Sequence, residues 1–236
     1  MTTTDLREGL VLVPGLNCTS ALFAPQLQAL AFGRRIIIAD TTNDDTIAGM
    51  AERLLATAPE RFALCGLSMG GYIAFEVIRR APGRVTRLAL LDTTAKPPTP
   101  ATNAPREQMI ALAKKGAFDN VVTLLWQKLV APDRLADDAL RLSVRAMANI
   151  VGANGFVRQQ RAIMGRADAR PVLPAISVPT LVVVGAEDAI TPPDEAREIA
   201  GGIGPLARYR EIPGCGHLST LEAPDVVTAA LRDWLA

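Results

Sequence analysis

Three short stretches of this chain are apolar at every position: Ile36-Ile37-Ile38-Ala39, Leu88-Ala89-Leu90-Leu91 and Leu181-Val182-Val183-Val184. A strand with one wet face alternates apolar and polar residues, so an unbroken run marks a strand covered on both faces. Helical spacing fills the segments between such runs. Ile47, Met50, Ala51, Leu54 and Leu55 share one helix face, with Thr46 placed to cap it and Pro59 to stop it. Strands that alternate with helices build a parallel sheet with helices on both sides.

Six strands are expected, at Gly9 to Val13, Arg35 to Asp40, Phe62 to Cys65, Val85 to Leu91, Pro179 to Gly185 and Arg208 to Ile212. Helices are expected at Thr19 to Leu30, Thr46 to Ala58, Met69 to Arg80, Pro193 to Ala200 and Pro224 to Leu235. The alternation breaks after the fourth strand. Lys96 to Pro105 holds four prolines and reads as a hinge. Arg106 to about Arg166 reads as helical, with weak breaks near Gly116, Pro132 and Gly152. Because the strand pattern resumes beyond it, this insertion of roughly 70 residues is expected to be a helical cap on one domain. The expected division is a core of residues 1–95 and 170–236 and a cap of residues 96–169.

Hydrophobic residues make up 49% of the 236 and charged residues 21%, the composition of a globular protein. A formal charge of +1, with no basic run, argues against a nucleic-acid partner. No apolar stretch reaches the roughly 18 residues of a membrane helix, and the N-terminal segment has no signal-peptide pattern. Cys18, Cys65 and Cys215 form no CxxC pair or zinc-type spacing. Reduced thiols in a cytoplasmic protein are the expectation, although Cys18 and Cys215 both lie near motif segments. No metal or cofactor motif is found.

Gly66-Leu67-Ser68-Met69-Gly70 is a G-x-S-x-G sequence. It follows an expected strand and opens an expected helix, the setting of a nucleophile elbow. There a sharp turn projects the Ser68 hydroxyl, and the helix N-terminus faces developing negative charge. A serine needs a base, and His217 is the sole histidine in the chain. It sits in Pro213-Gly214-Cys215-Gly216-His217, just after the last expected strand. The carboxylate that orients the imidazole is expected to be Asp188, in Gly185-Ala186-Glu187-Asp188, with Asp92 and Glu187 as rivals. Asp92 could instead brace a loop. An oxyanion hole needs two amides; Met69 and, from Pro14-Gly15-Leu16-Asn17, Leu16 are the candidates.

Taken together, the elbow, the segment GAEDAITPP and the segment GCGHLSTLEAP resemble the three signature regions of the α/β-hydrolase superfamily, in order and across essentially the whole chain. Leu12 to Gln26 is similar to the first-loop region of small esterase-like members. The resemblance implies a strand order of second, first, third, fourth, fifth, sixth. Two departures stand out. Pro14-Gly15 replaces the frequent His-Gly, which removes a side chain that often braces the loop. The N-terminal hairpin of the family is not apparent, which implies a shorter sheet.

The chemistry implied is acyl transfer to water from a small-molecule ester, without cofactor, by a monomer or homodimer. The cap would set the substrate. Its large apolar residues are Met109, Phe118, Leu125, Trp126, Met147, Ile150, Phe156 and Met164. Most would be helix core; Asn17, Trp126, Met147 and Met164 are the tentative pocket residues. Arg158, Arg161 and Arg166 fit a solvated helix face, and no arginine cluster aimed at an anion is apparent. An uncharged ester is therefore expected. A lactone, a thioester, a carbon–carbon bond or an acyl acceptor other than water would use the same groups, and a non-enzymatic ligand receptor could keep them as a pocket.

Overall fold

The computed structural model describes residues 7–236. Six strands, β1 (Arg7–Val13), β2 (Arg34–Ile38), β3 (Phe62–Leu67), β4 (Val85–Leu91), β5 (Thr180–Gly185) and β6 (Ala207–Ile212), form one sheet in the order β2-β1-β3-β4-β5-β6. Every pairing is parallel. The order is the one implied by the family resemblance.

The unbroken apolar runs are explained by the two cores. Val11, Val13, Leu64, Leu88, Leu90, Val182 and Val184 face one side, where α2 (Ile47–Thr57), α3 (Met69–Arg80) and α7 (Pro193–Ile203) pack. Their neighbours Leu10, Leu12, Ala63, Cys65, Ala89, Leu91, Leu181 and Val183 face the other, against α1 (Ala24–Leu30) and α9 (Pro224–Leu235). Successive side chains of a strand point to opposite faces, so two dry faces demand two apolar sets. Thr46 caps α2 by accepting from the Gly49 amide. β3 is buried at all six positions and runs directly into Ser68.

Between β4 and β5 the chain forms α4 (Pro100–Lys114), α5 (Phe118–Leu129) and α6 (Asp138–Met164). The expected hinge at 96–105 is half helix, because Pro100 takes the first turn, where its missing N–H costs nothing. Thr99 and Thr102 close a reciprocal capping box there. Gly152, at φ 69°, kinks α6. Ala113, Val121, Phe156 and Val157 form a small third core among these helices, with the Phe118 and Phe156 rings 5.5 Å apart. A short helix, α8 (Ser219–Glu222), precedes α9. Among the described residues no helix is long and apolar enough to cross a membrane.

Candidate active site

Three non-glycine residues among those described have left-handed backbone: Asn17 (φ 58°), Ser68 (φ 55°) and Asp92 (φ 46°). Each follows the C-terminal end of a strand, β1, β3 or β4, so these three strained residues are gathered at one edge of the sheet. At Ser68 the strain is held by its surroundings. The Ser68 amide donates to the Leu91 carbonyl at 2.9 Å, and its carbonyl accepts from the Gly71 amide and from Thr93 Oγ1, each at 2.8 Å. The two flanking glycines are required by contact. A Cβ on Gly66 would lie 2.2 Å from the Gly70 carbonyl oxygen, and one on Gly70 would lie 2.0 Å from that of Val13.

The turn sets Ser68 Oγ 2.8 Å from His217 Nε2, and His217 Nδ1 lies 2.7 Å from Asp188 Oδ2. Asp188 is itself fixed: it accepts from the Ile190 and Thr191 amides and from Thr191 Oγ1. Burial raises the pKa of Asp188, but His217 and these donors outweigh it and leave the carboxyl below its usual value. Burial likewise pulls His217 down, and the charge and hydrogen bond of Asp188 outweigh that, leaving the imidazole above its ordinary range. An ionised Asp188 places the hydrogen on Nδ1, so Nε2 can accept the Ser68 proton.

The two rival carboxylates sit elsewhere. Glu187 is exposed. Asp92 is fully buried and braces the edge, accepting from the Gly185 amide and from Ser219 Oγ. Burial, then the charge of Asp188, pushes its pKa up to about 8.

Met69 opens α3, so its amide has no partner within the helix. Leu16 lies in the loop after β1, where Gly15 packs against the Leu67 carbonyl and Ser68. The next amide, Asn17, donates to Gln159 Oε1 at 2.9 Å, while Gln159 Nε2 donates to the Thr41 carbonyl. Gln159, on α6, thus braces the loop that lacks the family's histidine. A second tie holds the histidine loop. The His217 amide donates to the Leu129 carbonyl at the end of α5, and Glu222 accepts from the Ala131, Gly216 and Leu218 amides. No local pattern in the sequence marks Gln159 or Glu222, because the ties of Gln159 to Asn17 and of Glu222 to Ala131 join segments remote in the chain.

Ser68 and His217 open on a cavity of about 260 Å³. Asn17 lines it, as do Met109, Val122, Leu125, Leu129, Val144 and Ile163. Trp126 and Met147 do not: both are buried in an apolar cluster with Val130 and Leu140, and Trp126 Nε1 donates to the Leu135 carbonyl. Met164, the last residue of α6, is also absent from the wall. The register of α5 places Val122, Leu125 and Leu129 on the cavity and turns Trp126 away. Arg106 and Lys128 line the cavity beside this mostly apolar wall. Arg158 and Arg166 are not merely solvated: Arg158 donates to the Thr42 carbonyl and Arg166 stacks 4.5 Å over the Tyr72 ring. Cys18, Cys65 and Cys215 are all buried free thiols. Among the described residues no group of three or more His, Cys, Asp or Glu is arranged to hold a metal ion.

The similarities to known proteins run through this site. The chain is 25% identical to a pimeloyl-[acyl-carrier protein] methyl ester esterase of Edwardsiella ictaluri, over 97% of this chain and 93% of that one. A thermophilic esterase from Thermogutta terrifontis superposes with a TM-score of 0.87 at 28% identity, covering 97% of this chain and 89% of that one. The enol-lactonase from Burkholderia xenovorans LB400 gives 0.88 at 25% identity, covering 99% and 93%. The model of the alpha/beta hydrolase family matches residues 10–230, and the chain belongs to that family of hydrolytic enzymes.

Proposed function

We propose that this chain is a serine hydrolase that cleaves a small carboxylic ester through an acyl-enzyme, with residues 96–169 as the cap over the site. The observation that carries this is the unbroken series Ser68 Oγ, His217 Nε2, His217 Nδ1 and Asp188 Oδ2, with contacts of 2.8 and 2.7 Å, opening on the cavity. Ser68 Oγ attacks the ester carbonyl as Nε2 takes its proton. The oxyanion is held by the Leu16 and Met69 amides. The imidazolium, stabilised by Asp188, gives the proton to the leaving alcohol. Water then attacks the acyl-enzyme, with His217 again as base, and releases the acid and Ser68. The named esterases among the similar proteins support the bond type. A lactone is an internal ester and would follow the same steps, a second reading favoured by the likeness to an enol-lactonase.

Ser68→Ala and His217→Ala are each expected to lower hydrolysis of a short p-nitrophenyl ester by on the order of 10⁴-fold or more. A fluorophosphonate should label Ser68. Full activity in either variant, or labelling elsewhere, would overturn the assignment.

A further inference from the structure

Ion pairs satisfy many cations of this protein: Arg53 with Asp44, Arg79 and Arg80 with Glu76, Lys96 with Glu195, Arg134 with Asp137. Arg84, Arg158 and Arg166 have no acid but donate to backbone carbonyls. Arg106, on α4, has neither. Its one hydrogen bond runs from Nη1 to Gln160 Oε1 at 2.7 Å, and no carboxylate among the described residues lies within ion-pair distance. Burial lowers its pKa, and the like charge of Arg166 adds to this against an opposing contribution from Tyr72. Arg106 is half-buried, and a guanidinium partly removed from water without a counter-charge carries a cost that an arriving anion offsets.

The surroundings agree. Arg106 and Gln160 both line the cavity that Ser68 and His217 open on. Gln160 is fully buried, and its Nε2 is left without any partner. Because Arg106 occupies Oε1, the amide's orientation is set, and a second unspent donor stands beside the guanidinium. Lys128 adds a further positive charge to the wall, and no Asp or Glu lines it.

We infer that Arg106, held by Gln160, is a carboxylate-recognition site, and that the substrate is an ester bearing a carboxylate away from the scissile bond, as in a monoester of a dicarboxylic acid. This rests on the hydrolase reading above. The planar fork of a guanidinium matches a carboxylate through two parallel hydrogen bonds. Such a clamp fixes one end of the substrate relative to Ser68, so it selects chain length as well as charge.

The test compares monomethyl esters of dicarboxylic acids of increasing length with methyl esters of the monocarboxylic acids of the same length. The full-length enzyme should favour the anionic series in kcat/KM by about 10- to 100-fold, the scale of one charge-assisted contact, with an optimum at one length. Arg106→Gln should bring the ratio near one, mainly through KM. Gln160→Glu supplies Arg106 with an internal counter-ion and should also abolish the preference while keeping the melting temperature. No preference in the wild type, or a preference that survives in both variants, overturns the site. If the wild type hydrolyses neither series, the hydrolase reading fails, and binding decides the inference. A rise in Tm with free dicarboxylates that is lost in Arg106→Gln supports the site, and no rise or an equal rise overturns it.

Discussion

The edge of the sheet and the helical insertion meet at one cavity, but they hold their groups by different means. Ser68, Asp188 and His217 follow β3, β5 and β6, each on a turn whose backbone bonds leave it little freedom. Arg106, Gln159 and Gln160 stand on α4 and α6, where the helix face and the packing of one helix on another decide what reaches the cavity. The first region is rigid by backbone geometry. The second is tied to the first by side chains, Gln159 to Asn17 and Glu222 to Ala131, and within itself by Arg106 to Gln160. Chemistry common to a family belongs on the first kind of scaffold, and selectivity on the second.

The largest effect should come from the sheet edge. Asp188→Asn keeps the shape but removes the charge and the acceptor that set the imidazole tautomer. We expect kcat to fall by about 10⁴-fold. The residual pH profile sharpens the point. His217 is raised by Asp188 against a burial effect that lowers it. Without the carboxylate the burial effect prevails, so the acidic limb of kcat/KM should move to lower pH. An unmoved limb would mean that Asp188 does not govern the imidazole.

A bridge between the two regions should matter less. Gln159→Leu removes the acceptor of the Asn17 amide and the donor to Thr41. One buried amide then lacks a partner, a loss of about 1–3 kcal/mol. The Leu16 amide, one residue away, loses its brace, and kcat is expected to fall about 10- to 100-fold with little change in KM. A loss of stability with kcat intact would show that the β1 loop holds itself.

The same contrast explains what could be read in advance. The elbow was legible because Gly66, Ser68 and Gly70 fall within five consecutive residues between a strand and a helix, although Gly70 is required by the remote Val13 carbonyl. The parallel sheet was legible because burial on both faces writes itself into every position of Leu181–Val184. The cavity wall was not. Trp126 is large, apolar and on the right helix, yet the packing of α5 against α4 and α6 buries it and brings Leu125 and Leu129 to the cavity. Arg106, the first residue after the stretch read as a hinge, stands inside α4 because that helix begins at Pro100. Helix start and crossing angle depend on partners far along the chain, and no local pattern carries them.

The smallest effect on rate is expected where the sheet edge carries a second buried carboxyl. Asp92 and Asp188 end neighbouring strands, yet their pKa values move in opposite directions. Asp188 faces an imidazole and amide donors; Asp92 faces a hydroxyl and one amide, with Asp188 already charged nearby. With its pKa at about 8, Asp92 is mostly protonated at neutral pH, so Asp92→Asn is close to isosteric and should change kcat by no more than a few-fold. Its signature is in stability. Between the ordinary carboxyl range near 4 and about 8, the folded state keeps the Asp92 proton that the unfolded chain releases. The native state then binds more protons, and stability falls as pH rises through that window. Asp188 works the other way, stabilising at neutral pH and losing that contribution as acid protonates it below its lowered pKa. Asp92→Asn should therefore flatten the decline in Tm from pH 4 to 8 and leave the acid limb intact. A slope unchanged in the variant would place Asp92 among the ionised carboxylates and remove the distinction between the two.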